Sequence, residues 1–157
     1  FYRPNKFQED IHLNTLIIKA YNLLEDSLLS EKINLHLELD SHATLKLFQN
    51  EFLQALLNII NNAREQLKEK NIKDAQIVIK SYDKEDVCVV EISDNALGIK
   101  KDIIEKIFDP YFSTKFEKNG TGLGLYMAKS IIEQHHKGKI YAQNISNGAK
   151  FTIEIGR

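Results

Sequence analysis

The sequence predicts a two-layer α/β sandwich of the α+β kind, and three observations carry that reading. Two stretches, 13–29 and 50–70, repeat apolar residues at three- and four-residue spacing, the period of a helix with one buried face. "INLHLELD" (33–40) alternates strictly, as a strand covered on one side does. Two further pairs of strand-like runs are joined by short polar turns, so hairpins dominate and the interleaved helices must pack on their sheet.

The elements follow in chain order. The helix "LNTLIIKAYNLLEDSLL" leads into the strand at 33–40, whose Ile33, Leu35, Leu37 and Leu39 point inward, and a short second strand is expected near "ATLKLF". The helix 50–70 gathers Phe52, Leu56, Ile59, Ile60, Ala63 and Leu67 on one face. "AQIVIKSY" and "DVCVVEISD" pair across the turn "DKED". A short helix is expected at 101–107, an irregular stretch over 108–119 and a last helix at about 122–136. "GKIYAQN" and "GAKFTIEI" close the chain as a hairpin around "ISNG", with Gly148 at the turn.

The 157 residues suit one domain with a real core. A formal net charge of -1 gives no basic surface for nucleic acid. Apolar runs of a few residues cannot cross a bilayer, and no signal peptide is visible, so no direct membrane contact is expected. Cys88, the single cysteine, sits in "VCVVEI" and reads as a buried thiol, which fits a reducing compartment. Met127 is the only methionine, so the chain is expected to be a piece of a longer protein.

Four motifs carry chemistry. "NGTGLGLYMAK" (119–129) alternates Gly120, Gly122 and Gly124 before an apolar run. A dinucleotide fingerprint would need glycine where Leu125 or Met127 stands, and the Gly-Lys-Ser/Thr of a P-loop is absent. What remains is a glycine turn at a helix start, which favours an anion, or simply a flexible loop. In the helix 50–70, Gln54, Asn58 and Asn62 fall at i, i+4 and i+8, opposite the apolar face. A solvated face normally carries Lys and Glu, whereas each helix-interior Asn costs roughly 0.5 kcal/mol relative to Ala. Three of them, Asn58, Asn61 and Asn62, point to a use, and carboxamide oxygens suit Mg²⁺.

Asp94 ends the strand in "ISDNALGI". It is either a turn former or an acceptor within a pocket, one that welcomes the amine of adenine and rejects the carbonyl of guanine. In "FDPYFSTK", Phe108 reads as a core anchor and the rest as a lid bringing Lys115 toward phosphate.

In this order, the four motifs resemble the N, G1, F and G2 boxes of the ATP-binding catalytic domain of sensor histidine kinases, within the Bergerat-fold (GHKL) ATPases. The likeness covers nearly the whole chain, including the early "FYRP" segment and "HHKGKI". It implies a mixed, mainly antiparallel sheet of about five strands with three helices on one face. It implies ATP and Mg²⁺ as cofactors, with Asn58 ligating the metal and Asn62 contacting metal or phosphates. Asp94 would read the adenine amine, and Gly98 and Ile99 would shape the base pocket. Phe112 would anchor the lid and Lys115 approach the phosphates. Gly120, Thr121, Gly122, Leu123, Gly124 and Leu125 would line the lid side of the phosphates.

Two positions depart from the family pattern. Ala96 stands where the first glycine of the G1 box usually falls; if that backbone needs a positive φ, alanine costs on the order of 1 kcal/mol. Glu65 stands where some members place a basic phosphate contact.

Hydrolytic members of the superfamily carry Glu where this chain has Asn58, and a neutral carboxamide cannot take a proton from water. Transfer to a histidine on a separate dimerisation domain is therefore expected, in a cytoplasmic, homodimeric two-component kinase with a response regulator downstream. None of His12, His36, His42, His135 and His136 has the setting of a phosphoacceptor, so the chain alone is not expected to autophosphorylate. His135 and His136 make a poor metal pair on a helix and suit a helix C-terminus better. A serine kinase of the anti-sigma-factor type and a non-catalytic nucleotide-binding module remain open as alternatives.

Overall fold

The computed structural model describes residues 7–112 and 122–157. The first part of the chain forms β1 (Glu9–His12), α1 (Leu13–Ser30), β2 (Asn34–Leu39), β3 (Thr44–Leu47) and α2 (Gln49–Glu69). Next come β4 (Gln76–Lys84), β5 (Val87–Asp94) and α3 (Lys101–Ile104). The last part holds α4 (Gly124–Lys129), which runs on as a π-helical turn over Ser130–His135, then β6 (Lys139–Ile145) and β7 (Gly148–Gly156). Five strands form one mixed sheet in the order β2-β4-β5-β7-β6, and only the β2–β4 pair is parallel.

Strand alternation decides which face is buried. Ile77 and Ile79 of β4, Cys88, Val90 and Ile92 of β5, and Phe151, Ile153 and Ile155 of β7 all belong to the core shared with the helices. Against them α2 lays the predicted stripe of Phe52, Leu56, Ile59, Ile60, Ala63 and Leu67, each at most 2% exposed. Burying a side chain such as Phe52 or Ile59 contributes about 1.5–3 kcal/mol, so this seam dominates the packing energy. Cys88 is an inert core thiol, pushed up to about 11 by burial.

Polar fastenings set the helix positions. Asn14 accepts from the Ser81 hydroxyl (2.6 Å) and donates to the Ser41 carbonyl (3.0 Å), which ties the start of α1 to β4. Glu31, just past α1, takes both Nε and Nη2 of Arg64 on α2 (2.6 and 2.7 Å), and these bonds hold its carboxyl down to about 2. The N-terminus of α2 lacks a side-chain cap of its own. His136 supplies the contact instead: its Nε2 accepts the Phe48 N–H (3.0 Å), so Nδ1 must carry the proton that goes to the Ile131 carbonyl (2.9 Å). Phe48 and Phe52 pack edge-on against the imidazole, and burial lowers its pKa. His135 meets buried Glu51 at 2.6 Å, so the two histidines join the last helix to the first turn of α2.

Three differences from the sequence reading have physical causes. β1, which no alternation announced, pairs antiparallel with β3 as a separate two-stranded sheet. The last helix changes to π geometry over Ser130–His135, and the side chain of its C-cap, His136, turns back to bond the Ile131 carbonyl through Nδ1. Gly148 is not the turn residue. It opens β7, and Asn147 takes the left-handed φ of 62°. Its missing side chain is required for a different reason, because a Cβ at 148 would lie 1.7 Å from the Asp94 carbonyl oxygen.

Candidate functional site

The site begins where β5 ends. Asp94 is 8% exposed, and its Oδ1 accepts the Ala96 N–H (2.9 Å) and, more weakly, the Ala149 N–H (3.4 Å). Burial pushes its carboxyl above the usual range, while the two N–H groups and the nearby Lys70 charge pull the other way. Asp94 lies in an open cavity of about 210 Å³. Asn62, Gln66 and Lys70 of α2 and its C-cap line one part, Ala96, Gly98 and Ile99 of the following turn another, and Ala149 and Phe151 of β7 the rest.

Along α2 a polar row extends from this cavity. Gln54, Asn58, Asn62, Gln66 and Lys70 recur every fourth residue, so each is turned about 40° from the last and the row winds round the helix over roughly 24 Å, from the face opposite the apolar stripe toward the cavity. Asn58 is half-buried; its Oδ1 accepts from Gln54 Nε2 (2.7 Å) and its Nδ2 donates to the Gly124 carbonyl (3.1 Å). The first turn of α4 therefore rests on Asn58. Asn62 lies one turn further on, at the edge of the cavity.

The glycine turn and the "FDPYFSTK" motif meet in space as well as in order. Gly122 has a φ of 75°, and a Cβ there would approach the Tyr111 backbone to 2.6 Å. Phe112 and Leu125 are half-buried against the core, and Leu123 is half-buried at the start of α4. Phe108 stands edge-on to Phe151, with Lys129 over its ring, as a core anchor should. Lys115, Gly120 and Thr121 lie outside the described residues.

The described candidates thus form a continuous track, with Asp94, Gly98 and Ile99 at one end, Asn62 between, and Asn58, Gly124 and Leu123 at the other. The condition under which Ala96 would be strained is not met: the left-handed residues are Leu97 (φ 69°) and Gly98 (φ 87°), and Ala96 is buried. Glu65 is half-buried and lies outside the cavity lining. The sequence reading missed Gln66 and Lys70, although the same four-residue spacing extends to both. It also missed the β6–β7 hairpin as a site element, for which no local pattern gave a sign.

Comparison with known proteins identifies the family. Residues 49–157 match the family described as histidine kinase-, DNA gyrase B-, and HSP90-like ATPase. The sensor histidine kinase ZraS of Salmonella typhimurium is 34% identical over 149 residues, covering 92% of this chain and 30% of that protein. The signal transduction histidine-protein kinase AtoS of Escherichia coli is 32% identical over 156 residues, covering 98% of this chain and 25% of that protein. The chain therefore spans less than a third of the length of these relatives. Among solved structures, the nucleotide-free catalytic domain of histidine kinase ThkA superposes with a TM-score of 0.83 at 31% identity, covering 95% of both chains. Fold, track and likeness lead to one statement: the chain belongs to the family of histidine kinase-, DNA gyrase B- and HSP90-like ATPases.

Proposed function

We propose that this chain is the single catalytic domain (1–157) of a two-component sensor kinase, binding Mg²⁺–ATP and donating its γ-phosphoryl group to a histidine on a separate dimerisation domain. The observation that carries the reading is a buried carboxylate, Asp94, in a cavity whose lining includes the neutral carboxamides of Asn62 and Gln66, with Asn58 one turn further along α2. Asp94 reads the adenine amine, and Gly98 and Ile99 shape the base pocket. Asn62 contacts metal or phosphates. Phe112 anchors the lid, Lys115 approaches the phosphates, and Gly120, Thr121, Gly122, Leu123, Gly124 and Leu125 flank them.

The donor set fits Mg²⁺, a hard cation that keeps several waters and shares its coordination with substrate phosphates. Asn58 is its protein ligand, and among the described residues no cluster of three His, Cys, Asp or Glu offers an all-protein cage. Bound there, Mg²⁺ would supply charge neutralisation at the phosphates. The neutral carboxamide of Asn58 cannot take a proton from water, so Asn58 does not activate water for hydrolysis. An imidazole nitrogen of the acceptor forms the new bond to the γ-phosphorus as the bond to the bridging oxygen breaks and ADP departs.

The partners are that dimerisation domain, within a homodimer, and a response regulator; ThkA has been solved in complex with the response regulator TrrA. No described helix is long and apolar enough to cross a membrane. The domain is assigned to the cytoplasmic side.

The test supplies a separate acceptor-helix domain and radiolabelled ATP. Acid-labile phosphate on that domain is the expected result. Acid-stable phosphate would make the chain a serine kinase, and binding without transfer a nucleotide sensor. Asp94→Ala is expected to abolish both transfer and nucleotide-induced thermal stabilisation; an unchanged shift removes Asp94 from the site.

A further inference from the structure

We propose that Asn144 and Lys70 are positioning residues for base selection, which clasp the turn 96–99 from two sides and so aim Asp94. The proposal rests on the ATP reading above. Asn144 lies on exposed β6, yet its carboxamide pairs with both backbone groups of Ile99: Oδ1 accepts the Ile99 N–H (2.7 Å) and Nδ2 donates to the Ile99 carbonyl (2.8 Å). One side chain thus does what a neighbouring strand would do for one residue. From α2, Lys70 Nζ donates to the Ala96 carbonyl (2.7 Å) and the Gly98 carbonyl (3.0 Å).

The turn needs such holding. Leu97 and Gly98 are consecutive left-handed residues, with φ of 69° and 87°. That conformation is disfavoured for Leu, and strained backbone persists only where its surroundings over-determine it. Packing cannot do so, because the Leu97 side chain is 68% exposed. Polar bonds must: the two from Asn144, the two from Lys70, and the Leu97 N–H to the Asn147 carbonyl (2.9 Å). A side chain at 98 would press on the clasp, since a Cβ there meets Asn144 Oδ1 at 3.0 Å.

The link to selection is direct. The Ala96 N–H that orients Asp94 belongs to the same turn, so a displaced turn redirects the carboxylate. Asn144 is absent from the cavity lining, so an effect of its removal on nucleotide choice is transmitted through the turn it holds, at Gly98 and Ile99.

Isothermal titration of the 157-residue chain with Mg²⁺–ATP and Mg²⁺–GTP tests this, alongside the melting temperature of the free protein. Asn144→Ala and Lys70→Met are each expected to weaken ATP binding and to narrow the ATP-over-GTP preference by about tenfold, the equivalent of one good hydrogen bond. Lys70→Arg, whose guanidinium keeps two donors for the two carbonyls, is expected to retain the preference within about threefold. A wild-type ATP-over-GTP ratio in folded Asn144→Ala and Lys70→Met would overturn the clasp. Failure of the unaltered chain to bind either nucleotide would instead overturn the ATP reading on which it rests.

Discussion

The Asp94 end and the Asn58 end of the track are held by different kinds of bond. At the Asp94 end the carboxylate is fixed by backbone: N–H groups of Ala96 and Ala149 hold it, and the hairpin lies so close that residue 148 cannot carry a Cβ. At the Asn58 end the described bonds are single side-chain contacts, from Gln54 and to the Gly124 carbonyl. Backbone interlocks give one geometry, which is what distinguishing one base edge from another requires. Single side-chain bonds at half-buried positions exchange more readily than these interlocks or the paired bonds of Asn144 and Lys70, which under the proposed function suits donors that turn toward phosphate and metal. Under the proposed function, selectivity sits at the end of β5 and adaptability on α2.

The largest test of that contrast is Gly148→Ala. Its Cβ would overlap the Asp94 carbonyl, so hairpin and β5 must separate. The expected loss is on the order of 3 kcal/mol, toward the upper end of overpacking effects, or roughly 6–12 °C in melting temperature for a chain of this size. Urea denaturation measures it. A loss under about 1 kcal/mol, within ordinary repacking, would show that the Asp94 end is not interlocked.

His136 probes the other end, because it fastens the N-terminus of α2, two to three turns before Asn58. His136→Ala leaves the Phe48 N–H without its acceptor and removes a buried ring, at a cost of about 2–3 kcal/mol. The effect depends on pH. Burial lowers the folded pKa below the unfolded value, so the stability contributed by the neutral ring is fully present above about pH 6.5 and lost as pH falls through the folded pKa. Glu51 raises that pKa and His135 lowers it, so their charges belong to the same profile. The difference in unfolding free energy between the chain and His136→Ala should shrink from pH 7.5 to pH 5. A difference constant across that range would exclude the neutral-ring contact.

What was legible in the sequence follows the same division. The α2 stripe and the hairpin-linked strands could be read because burial imposes periods of 3.6 and 2 on local sequence. Asn58 and Asn62 could be read because helix-interior asparagines are costly at a solvated face. The clasp could not: Asn144 and Ile99 are 45 residues apart and meet only through sheet order. Gly148 misled for a related reason, since a glycine beside Asn and Ser looks like a turn and nothing nearby announces the Asp94 carbonyl. His136 does act at the C-terminus of its own helix, through Nδ1 to the Ile131 carbonyl, but nothing in the sequence showed that its Nε2 also accepts from Phe48 at the start of another.

Ala96→Gly is a smaller test and concerns the Asp94 end. Ala96 has no left-handed backbone to relieve, and its methyl is 2% exposed. Glycine there should destabilise the chain by about 1 kcal/mol through added unfolded-state entropy and lost burial, without tightening ATP. Tighter nucleotide binding, seen by titration, would place the strain at 96 after all.

The smallest stability effect is expected at Asn58 itself. Replacing Asn by Ala within a helix gains roughly 0.5 kcal/mol in propensity. Losing the bonds to Gln54 and the Gly124 carbonyl costs about 0.5–1.5 kcal/mol each at half-buried positions, toward the lower figure where water can replace them. These terms largely offset, so Asn58→Ala should shift the melting temperature by no more than about 2–4 °C. Mg²⁺-dependent stabilisation by ATP, in contrast, should vanish, because Asn58 is the proposed metal ligand. A small structural effect beside a complete ligand effect is what an exchangeable donor implies. If the free chain were instead destabilised as severely as by Gly148→Ala, Asn58 would be a structural bolt, and the two ends would be built alike.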